Sequence, residues 1–431
     1  MRIESIIARS IPDTRGRPTI ETTLQAGAFR ATASVPSGKS TGSHEAVELR
    51  DSDGSVGSAI ENVNGEIMQA LMIRDFNSAD ALDAFLIELD GTENKSRLGA
   101  NALLSISIAA QRLFALEKGV PLWRAIAERA SDGKGFFESM PSAATPAHAF
   151  RHVRAERNAL EKSFPVAIPP RLFVNVMNGG VHADFKLPFQ EYILVVEGKT
   201  SEALPIAQEA FTKLGERLGN VPMGDEGGYA PTFDTLEQPF EILASLVKEF
   251  PGTSIAIDAA ASELFHEGSY TLLGKSYSAD ALAALYRELV ERFLIHSIED
   301  PFDEEAANDF ARFTATLGNK ILIVGDDLTV TNPARIRDAV AHKEINAVLI
   351  KPNQIGTVHE AIQAVQETYV TGWQAIASHR SGETSDTFIA DFAYGIGAHG
   401  IKAGGLGQRE RLEKYERLLA IEHEIVYPHP H

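Results

Sequence analysis

AIDAAASE at residues 256–263, SIEDPF at 297–302 and GDDLTVTN at 325–332 each place a carboxylate directly after an apolar run. The apolar runs have the length of strands, and Asp258, Glu299 and Asp326 stand at their ends. Strands of a parallel barrel bring their carboxyl ends to one face, where active sites of this fold lie. The pattern predicts that the three carboxylates meet there and hold a divalent metal, because hard cations prefer carboxylate oxygens.

The same alternation of strand-like and helix-like segments fills the second half of the chain. Its apolar runs include RLFVNVMNGG, EYILVVEG, INAVLIKP and WQAIASHR. Such alternation is typical of parallel βα units, and units of roughly 25 to 40 residues fit a closed barrel. Lys351, His379 and Lys402 follow the later runs at similar intervals, so we expect them at the carboxyl ends of strands as well.

The first half of the chain has a different pattern. Residues 2–35 alternate as an antiparallel meander, and residues 58–130 are rich in Ala and Leu at helical spacing. We therefore predict an α/β protein with an α+β capping domain at 1–130, an elaborated linker at 131–170 and a βα barrel catalytic domain at 171–431.

Composition excludes several classes of function. The formal net charge is -19, which disfavours binding to nucleic acid and to anionic membranes. The chain has no cysteine, which rules out disulfides, thiolate catalysis and cysteine-ligated zinc. No run approaches the roughly 18 apolar residues of a membrane span, and the first residues do not form a signal peptide pattern. A cytoplasmic location is expected.

The order of short motifs along the chain resembles the enolase family, the phosphopyruvate hydratases of glycolysis. The matching strings run almost from end to end: DTRGRPTIE at 13–21, PSGKSTGSHEAVELRD at 36–51, NKSRLGAN at 94–101, NGGVHA at 178–183, QE at 190–191, GDEGGYAP at 224–231, the three acidic strings, KPNQIGT at 351–357, SHRSGETSDTFIAD at 378–391 and IKAG at 401–404. The resemblance implies an enolase-type barrel and a carbon–oxygen lyase that dehydrates 2-phosphoglycerate to phosphoenolpyruvate.

The resemblance also implies a metal requirement. Enolase superfamily members use a Lys or His base beside one or two Mg²⁺ ions, which stabilise the dianion formed by proton removal. Two Mg²⁺ ions are expected, held by Asp258, Glu299 and Asp326. The loop PSGKSTG resembles the family's mobile lid, whose serine, Ser40 here, reaches the second metal.

Catalytic roles follow from the same match. Lys351 corresponds to the general base, with a pKa expected to be lowered by the metals and by Lys402. Lys402 corresponds to the residue that binds the substrate carboxylate and stabilises the enolate. Glu226 corresponds to the general acid, with Glu191 beside it as a like-charged neighbour that could keep it protonated.

Substrate contacts complete the implied site. Arg380 and Ser381 correspond to the phosphate-binding pair, since a guanidinium fork matches phosphate oxygens. His182 and His379 correspond to histidines that line the pocket, and Gln190 to a supporting polar contact.

Some residues depart from the family pattern and leave alternatives open. Lys39 replaces a small residue in the lid, the segment FKLP after HAD is unusual, and Ala420 replaces an arginine that pairs with the partner subunit's equivalent of Glu21. The first alternative is a related lyase acting on a phosphonate or another altered acid. The second is a non-catalytic binding protein that keeps the fold. Assembly into a homo-oligomer is also left open.

Overall fold

The computed structural model describes residues 1–39, 42–131, 168–184 and 186–427. Ser40, most of the predicted 131–170 linker, Phe185 of the FKLP segment and the last four residues lie outside this range. The boundaries predicted for the three parts of the chain therefore stay predictions.

The chain begins with the predicted antiparallel meander, β1 (Ser5–Pro12), β2 (Pro18–Ala26) and β3 (Phe29–Ser34). Helices follow: α1 (Gly57–Asn62), α2 (Met68–Met72), α3 (Ala79–Asp90), α4 (Ala100–Lys118) and α5 (Leu122–Ser131), with a π-helical turn, Val63–Ile67, between the first two. Helix α4 packs on β2 and β3 and is buried along most of its length. It ends at Gly119, whose φ of 65° suits a residue without a side chain.

Eight strands close into the predicted barrel in the order β4-β5-β6-β10-β11-β12-β13-β14. Their bounds are β4 (Arg171–Asn178), β5 (Glu191–Val196), β6 (Thr253–Asp258), β10 (Ile295–Glu299), β11 (Leu322–Gly325), β12 (Ala347–Ile350), β13 (Gln374–Ser378) and β14 (Gly400–Gly404). A small antiparallel sheet follows β6 in the chain, formed by β7 (Phe265–His266), β8 (Ser269–Leu272) and β9 (Lys275–Tyr277).

Helices in this part of the chain have the following bounds: α6 (Thr200–Leu218), α7 (Gln238–Glu249), α8 (Ala279–Arg292), α9 (Ala307–Leu317), α10 (Pro333–His342), α11 (Pro352–Ile355), α12 (Val358–Val370), α13 (Phe388–Gly395) and α14 (Arg409–Val426). No helix among the described residues combines the length and the apolar character that a membrane crossing requires.

One strand runs opposite to the prediction. EYILVVEG was expected in a parallel unit, but β5 pairs antiparallel with both β4 and β6. The described residues between β4 and β5 include only a short 3₁₀ helix, Gly180–Ala183, and a parallel crossover needs a longer connection, usually an α-helix. As a result the amino end of β5, at Glu191, lies at the same rim as the carboxyl ends of its neighbours.

The first domain docks on the start of α12. Ser107 accepts a hydrogen bond from the Val358 backbone N–H at 3.0 Å, and Asp83 accepts one from the His359 N–H at 3.0 Å. The Lys95 ammonium lies 2.5 Å from the Glu360 carboxylate. Side chains of the capping domain thus satisfy backbone donors that the first turn of a helix leaves without a partner.

Candidate active site

Three carboxylates stand side by side at the carboxyl rim of the barrel. Glu191 is in register with Asp258, and Asp258 with Glu299, on three adjacent strands. Antiparallel β5 is the reason that Glu191 joins the other two. Each of these side chains is buried, and burying charges this close together requires a cation between them.

Lys402, in β14, supplies a cation at this point. Its Nζ lies 3.0 Å from Glu191, 3.0 Å from Asp258 and 2.9 Å from Glu299. Burial opposes the charge, but the carboxylates of Asp258, Glu191 and Glu299 raise the pKa of Lys402 well above its usual range. The Lys402 side chain is therefore a charged ammonium that these contacts hold in place.

The second lysine pairs with the remaining predicted metal ligand. Asp326 follows β11, Lys351 follows β12, and their side chains form a short ion pair. Burial acts to lower the pKa of Lys351, but the charge of Asp326 outweighs it and the pKa is raised. The predicted lowering concerns Lys351 beside bound metals, so it stays a prediction.

Glu191 and Glu226 lie side by side in the cavity, and their surroundings shift their pKa values in opposite directions. Burial and the nearby charge of Glu226 raise the pKa of Glu191 well above its usual range. For Glu226 burial is opposed by His182, His379 and Arg411, and the net effect is a pKa well below the usual range. Asn175 donates to Glu226 at 2.9 Å, which further favours the charged form.

The histidines of the pocket lie close to this pair. His182 Nε2 is 3.4 Å from Glu226, and its Nδ1 is 3.8 Å from Asp225. Burial and the adjacent Arg411 hold the pKa of His379 well below its usual value. Arginine can only donate, so its contact makes His379 Nδ1 the acceptor.

The predicted phosphate-binding pair lies in the same cavity and contacts the capping domain. Arg380 donates to both carboxylate oxygens of Glu45, at 2.8 Å and 3.0 Å, and Ser381 Oγ accepts from Arg15 at 3.1 Å. Glu45 and Arg15 were not assigned any role from the sequence, although both fall within quoted motifs. Arg411 was also missed, and only its basic character in GLGQRER could have drawn attention to it.

Lys39, the unusual residue of the lid segment, contacts the loops beside the cavity. Its Nζ donates to Asp225 at 2.6 Å and to the Val181 carbonyl at 2.8 Å. The nearby His182 imidazole and the contact with Lys39 lower the pKa of Asp225 to about 2. Lys39 therefore forms an ion pair with Asp225. Among the described residues, it makes no hydrogen bond to a predicted metal ligand.

One cavity gathers the predicted residues at the rim. It is lined by His182, Gln190, Glu191, Glu226, Asp258, Ala260, Asp300, Asp326, Asp327, Lys351, Ser378, His379, Arg380, Ser381 and Lys402. Glu299 lies next to the cavity, where it contacts the lining residue Lys402. Gln190 donates a hydrogen bond to Asp258 at 3.3 Å. Ser40 lies outside the described residues, so its predicted metal contact stays a prediction.

The acidic side chains fit a divalent cation. Among the described residues, two sets of metal-ligating atoms lie within 4.8 Å of one another, Glu191 with Glu226 and His379, and Asp300 with Asp326 and Asp327. The predicted set of Asp258, Glu299 and Asp326 is not one of them; Lys402 contacts Asp258 and Glu299, and Lys351 contacts Asp326. Burial and neighbouring carboxylates raise the pKa of Glu299, Asp300 and Asp327 well above the usual range, so added positive charge would stabilise their ionised forms.

Comparison with known proteins agrees with this arrangement. Residues 3–126 match the family model described as "Enolase, N-terminal domain", and residues 165–428 match "Enolase, C-terminal TIM barrel domain". Proteins named enolase from Thermococcus gammatolerans and Thermococcus kodakarensis are each 40% identical over 450 residues, covering 99% of this chain and 96% of the relative. The motifs, the barrel with its one reversed strand and these matches lead to one conclusion: the chain belongs to the enolase family.

Proposed function

We propose that Lys351 removes the proton from carbon 2 of 2-phosphoglycerate and that the Glu191 and Glu226 pair delivers a proton to the departing hydroxyl. The dehydration itself follows from family membership, which makes the chain a hydro-lyase, a phosphopyruvate hydratase. One observation supports the residue roles above all: both lysines, both glutamates and the predicted metal ligand Asp258 line a single cavity.

The family also implies a divalent metal. We propose two Mg²⁺ ions, held by Asp258, Glu299 and Asp326, with Ser40 as a further ligand. Bound Mg²⁺ would supply positive charge to the carboxylate that becomes a dianion on proton removal. The donor set suits this ion, because it consists of carboxylate oxygens and contains no thiolate.

Each side chain then has one task. Lys402, whose ammonium contacts Glu191, Asp258 and Glu299, faces the substrate carboxylate and stabilises the enolate. Lys351 accepts the proton from carbon 2 after its own ammonium proton has passed to solvent, a loss that a bound cation sharing the negative charge of Asp326 would favour. The carbon–oxygen bond of the hydroxyl at carbon 3 breaks as that oxygen takes a proton from the glutamate pair, giving phosphoenolpyruvate and water.

The opposite pKa shifts of Glu191 and Glu226 refine the predicted acid. Glu226 favours its charged form, because His182 lies 3.4 Å from it and Asn175 donates a hydrogen bond to it. We propose that the pair acts as one acid, with the proton held on Glu191 and transferred at the position of Glu226. We propose that Arg380 and Ser381 bind the phosphate. To do so, the Arg380 guanidinium must either release Glu45 or bind Glu45 and the phosphate together.

Isotope exchange tests the assignment of base and acid. With 2-phosphoglycerate and Mg²⁺ in D₂O, Lys351→Ala should abolish both exchange at carbon 2 and phosphoenolpyruvate formation. Glu226→Gln should keep the exchange and lose the elimination, because the base is intact. The product is followed by its ultraviolet absorbance, and EDTA should stop the wild-type reaction. Equal loss of exchange in both variants would contradict the assignment.

Neither alternative is favoured. The relatives named enolase cover nearly the whole chain, and every predicted catalytic residue among the described ones lies at the cavity or next to it. Oligomeric assembly and the cytoplasmic location stay predictions. Glu21, which would pair with a partner subunit in the family, contacts Arg9 of the same chain at 2.6 Å.

A further inference from the structure

Gln354 is a wholly buried glutamine close to the base. It lies in α11, directly after Lys351, and its backbone N–H donates to the Lys351 carbonyl at 2.9 Å. None of the roles assigned above includes it. The polar atoms of a buried amide all need hydrogen-bond partners, so the partners of the Gln354 side chain indicate its role.

The side-chain amide of Gln354 contacts three groups of the site. Its Nε2 donates to Asp326 Oδ1 at 2.9 Å and to Glu45 Oε1 at 3.3 Å, while its Oε1 accepts from Thr331 Oγ1 at 2.7 Å. Thr331 Oγ1 in turn accepts from the Lys351 backbone N–H at 2.8 Å. The threonine hydroxyl has one proton, and it goes to the glutamine oxygen, which fixes the orientation of the amide.

Each of these partners belongs to a different part of the proposed chemistry. Asp326 is a predicted metal ligand whose other oxygen pairs with Lys351. Glu45 holds the Arg380 fork with two hydrogen bonds. The Gln354 backbone carbonyl also accepts from the Ala46 N–H at 2.8 Å, which ties the segment carrying Glu45 to α11.

The loop that orients the amide has an unusual backbone. Val330 and Thr331 have φ values of 43° and 56°. This left-handed region is unfavourable for β-branched residues, and such strain persists only where surrounding contacts enforce it. The strained pair places the Thr331 hydroxyl between the Gln354 amide and the Lys351 backbone, which is a position that a relaxed loop would not provide.

We propose that Gln354 is a positioning residue that orients Asp326 for the metal and holds the Glu45–Arg380 pair in register with Lys351. The inference rests on the proposed function. A neutral amide suits this task because it donates to Asp326 without cancelling the negative charge that the cation needs. Glutamate at this position would place a third carboxylate between Asp326 and Glu45.

Gln354→Met tests the proposal, since it keeps the length of the side chain and removes both of its polar atoms. Mg²⁺ binding is measured by calorimetry without substrate, beside kcat, KM for 2-phosphoglycerate and the unfolding temperature. We expect Mg²⁺ to bind about 10- to 100-fold more weakly and kcat to fall by a similar factor, as when outer contacts of metal ligands are removed. KM should change less.

Gln363→Met is the matched control. Gln363 is a partner of His359 on α12, away from the cavity, and the same substitution there should leave Mg²⁺ affinity and kcat unchanged. If Gln354→Met does not fold, Gln354→Asn serves in its place, because it keeps an amide that is too short to reach Asp326.

Unchanged Mg²⁺ affinity and kcat in a folded variant would overturn the proposal, even if the unfolding temperature fell. A wild-type protein that binds Mg²⁺ but forms no phosphoenolpyruvate would instead contradict the proposed function. The Mg²⁺ measurement still decides the role of Gln354 toward Asp326 in that case.

Discussion

At the residue scale, the charge of a buried side chain depends on its nearest partners. Glu191 and Glu226 are both glutamates in one cavity, yet burial and the charge of Glu226 raise the pKa of one, while His182, His379 and Arg411 lower the pKa of the other. Two carboxyl groups in contact cannot both ionise at low cost, so the Glu191 and Glu226 pair shares one proton.

This sharing predicts the behaviour of Glu191→Gln. Glutamine resembles the protonated glutamate in shape and charge, so the free energy of unfolding at pH 7 should stay within about 1 kcal/mol of the wild type. Its proton cannot be transferred, so kcat should fall by about 10²- to 10⁴-fold, the usual contribution of general acid catalysis. Urea unfolding and steady-state kinetics check the two parts.

Glu191→Ala is the comparison for that prediction. It removes a contact of Lys402 and leaves a hole, so it should lose stability as well as activity. Equal unfolding free energies in the two variants would contradict a protonated Glu191.

Sequence reasoning placed the candidate site residues in the fold better than it identified their contacts. Asp258 and Glu299 were predicted at strand ends, and they end β6 and β10. Glu45 and Arg411 were missed because their contacts, with Arg380 and His379, join segments that are far apart in the chain. The predicted lowering of the Lys351 pKa depends on bound metal ions and stays a prediction.

At the element scale, the opposite end of the barrel from the cavity contains a pair of histidines. His296, in β10, and His399, just before β14, have Nε2 atoms 3.0 Å apart, and both rings pack against Phe173. Burial and the charge of Arg171 lower the pKa of His296 to about 3, and burial, Arg171 and His296 lower the pKa of His399 well below its usual value. Arg171 also contacts Glu197 at 3.3 Å.

This pair should make the barrel sensitive to acid. A histidine with a lowered folded pKa binds protons mainly in the unfolded state, so its stabilising effect is complete above about pH 6.5 and is lost as pH falls toward 3. Each histidine should lower the free energy of unfolding by up to about 1.4 kcal/mol per pH unit in that window. Urea unfolding at pH 7 and pH 5 measures the effect.

His296→Asn should reduce the pH dependence of unfolding between pH 7 and pH 5. His342→Asn is the control, because His342 is exposed on α10. If the two variants have the same pH dependence as the wild type, the histidine pair is not the source of acid sensitivity.

The direction of β5 shows what a strand pattern cannot reveal. An apolar run reads the same whether the strand is parallel or antiparallel, so EYILVVEG was assigned correctly as a strand and wrongly in direction. The connection that precedes β5 decides the direction of the strand. In its described part this connection forms a short 3₁₀ helix, Gly180–Ala183, and not the longer crossover helix of a βα unit.

At the scale of the whole molecule, the docking of the capping domain on α12 rests on charge as well as packing. The side chains of Lys95 and Glu360 are 4% and 15% exposed in their ion pair. Removing one partner of a buried pair leaves a buried charge, which commonly costs about 3 to 5 kcal/mol. Lys95→Met should therefore lower the free energy of unfolding by about that amount.

Lys213→Met provides the comparison. Lys213 is 39% exposed and pairs with Glu209 and Glu249, and such surface pairs contribute about 0 to 1 kcal/mol. Thermal and urea unfolding of both variants should differ clearly. Equal small effects would mean that the Lys95–Glu360 ion pair does not stabilise the docking of the capping domain.

The reversed strand also has a consequence for how the barrel assembles. Antiparallel pairing lets β4 and β5 join as neighbours in sequence, and β6 then adds to β5 in the same antiparallel sense. Contacts between nearby segments form faster than contacts between distant ones, because less chain entropy is lost in closing the loop. β4 and β5 can thus pair early and place Glu191 at the rim, while the ring closes only when β14 arrives from the far end of the chain to pair with β4.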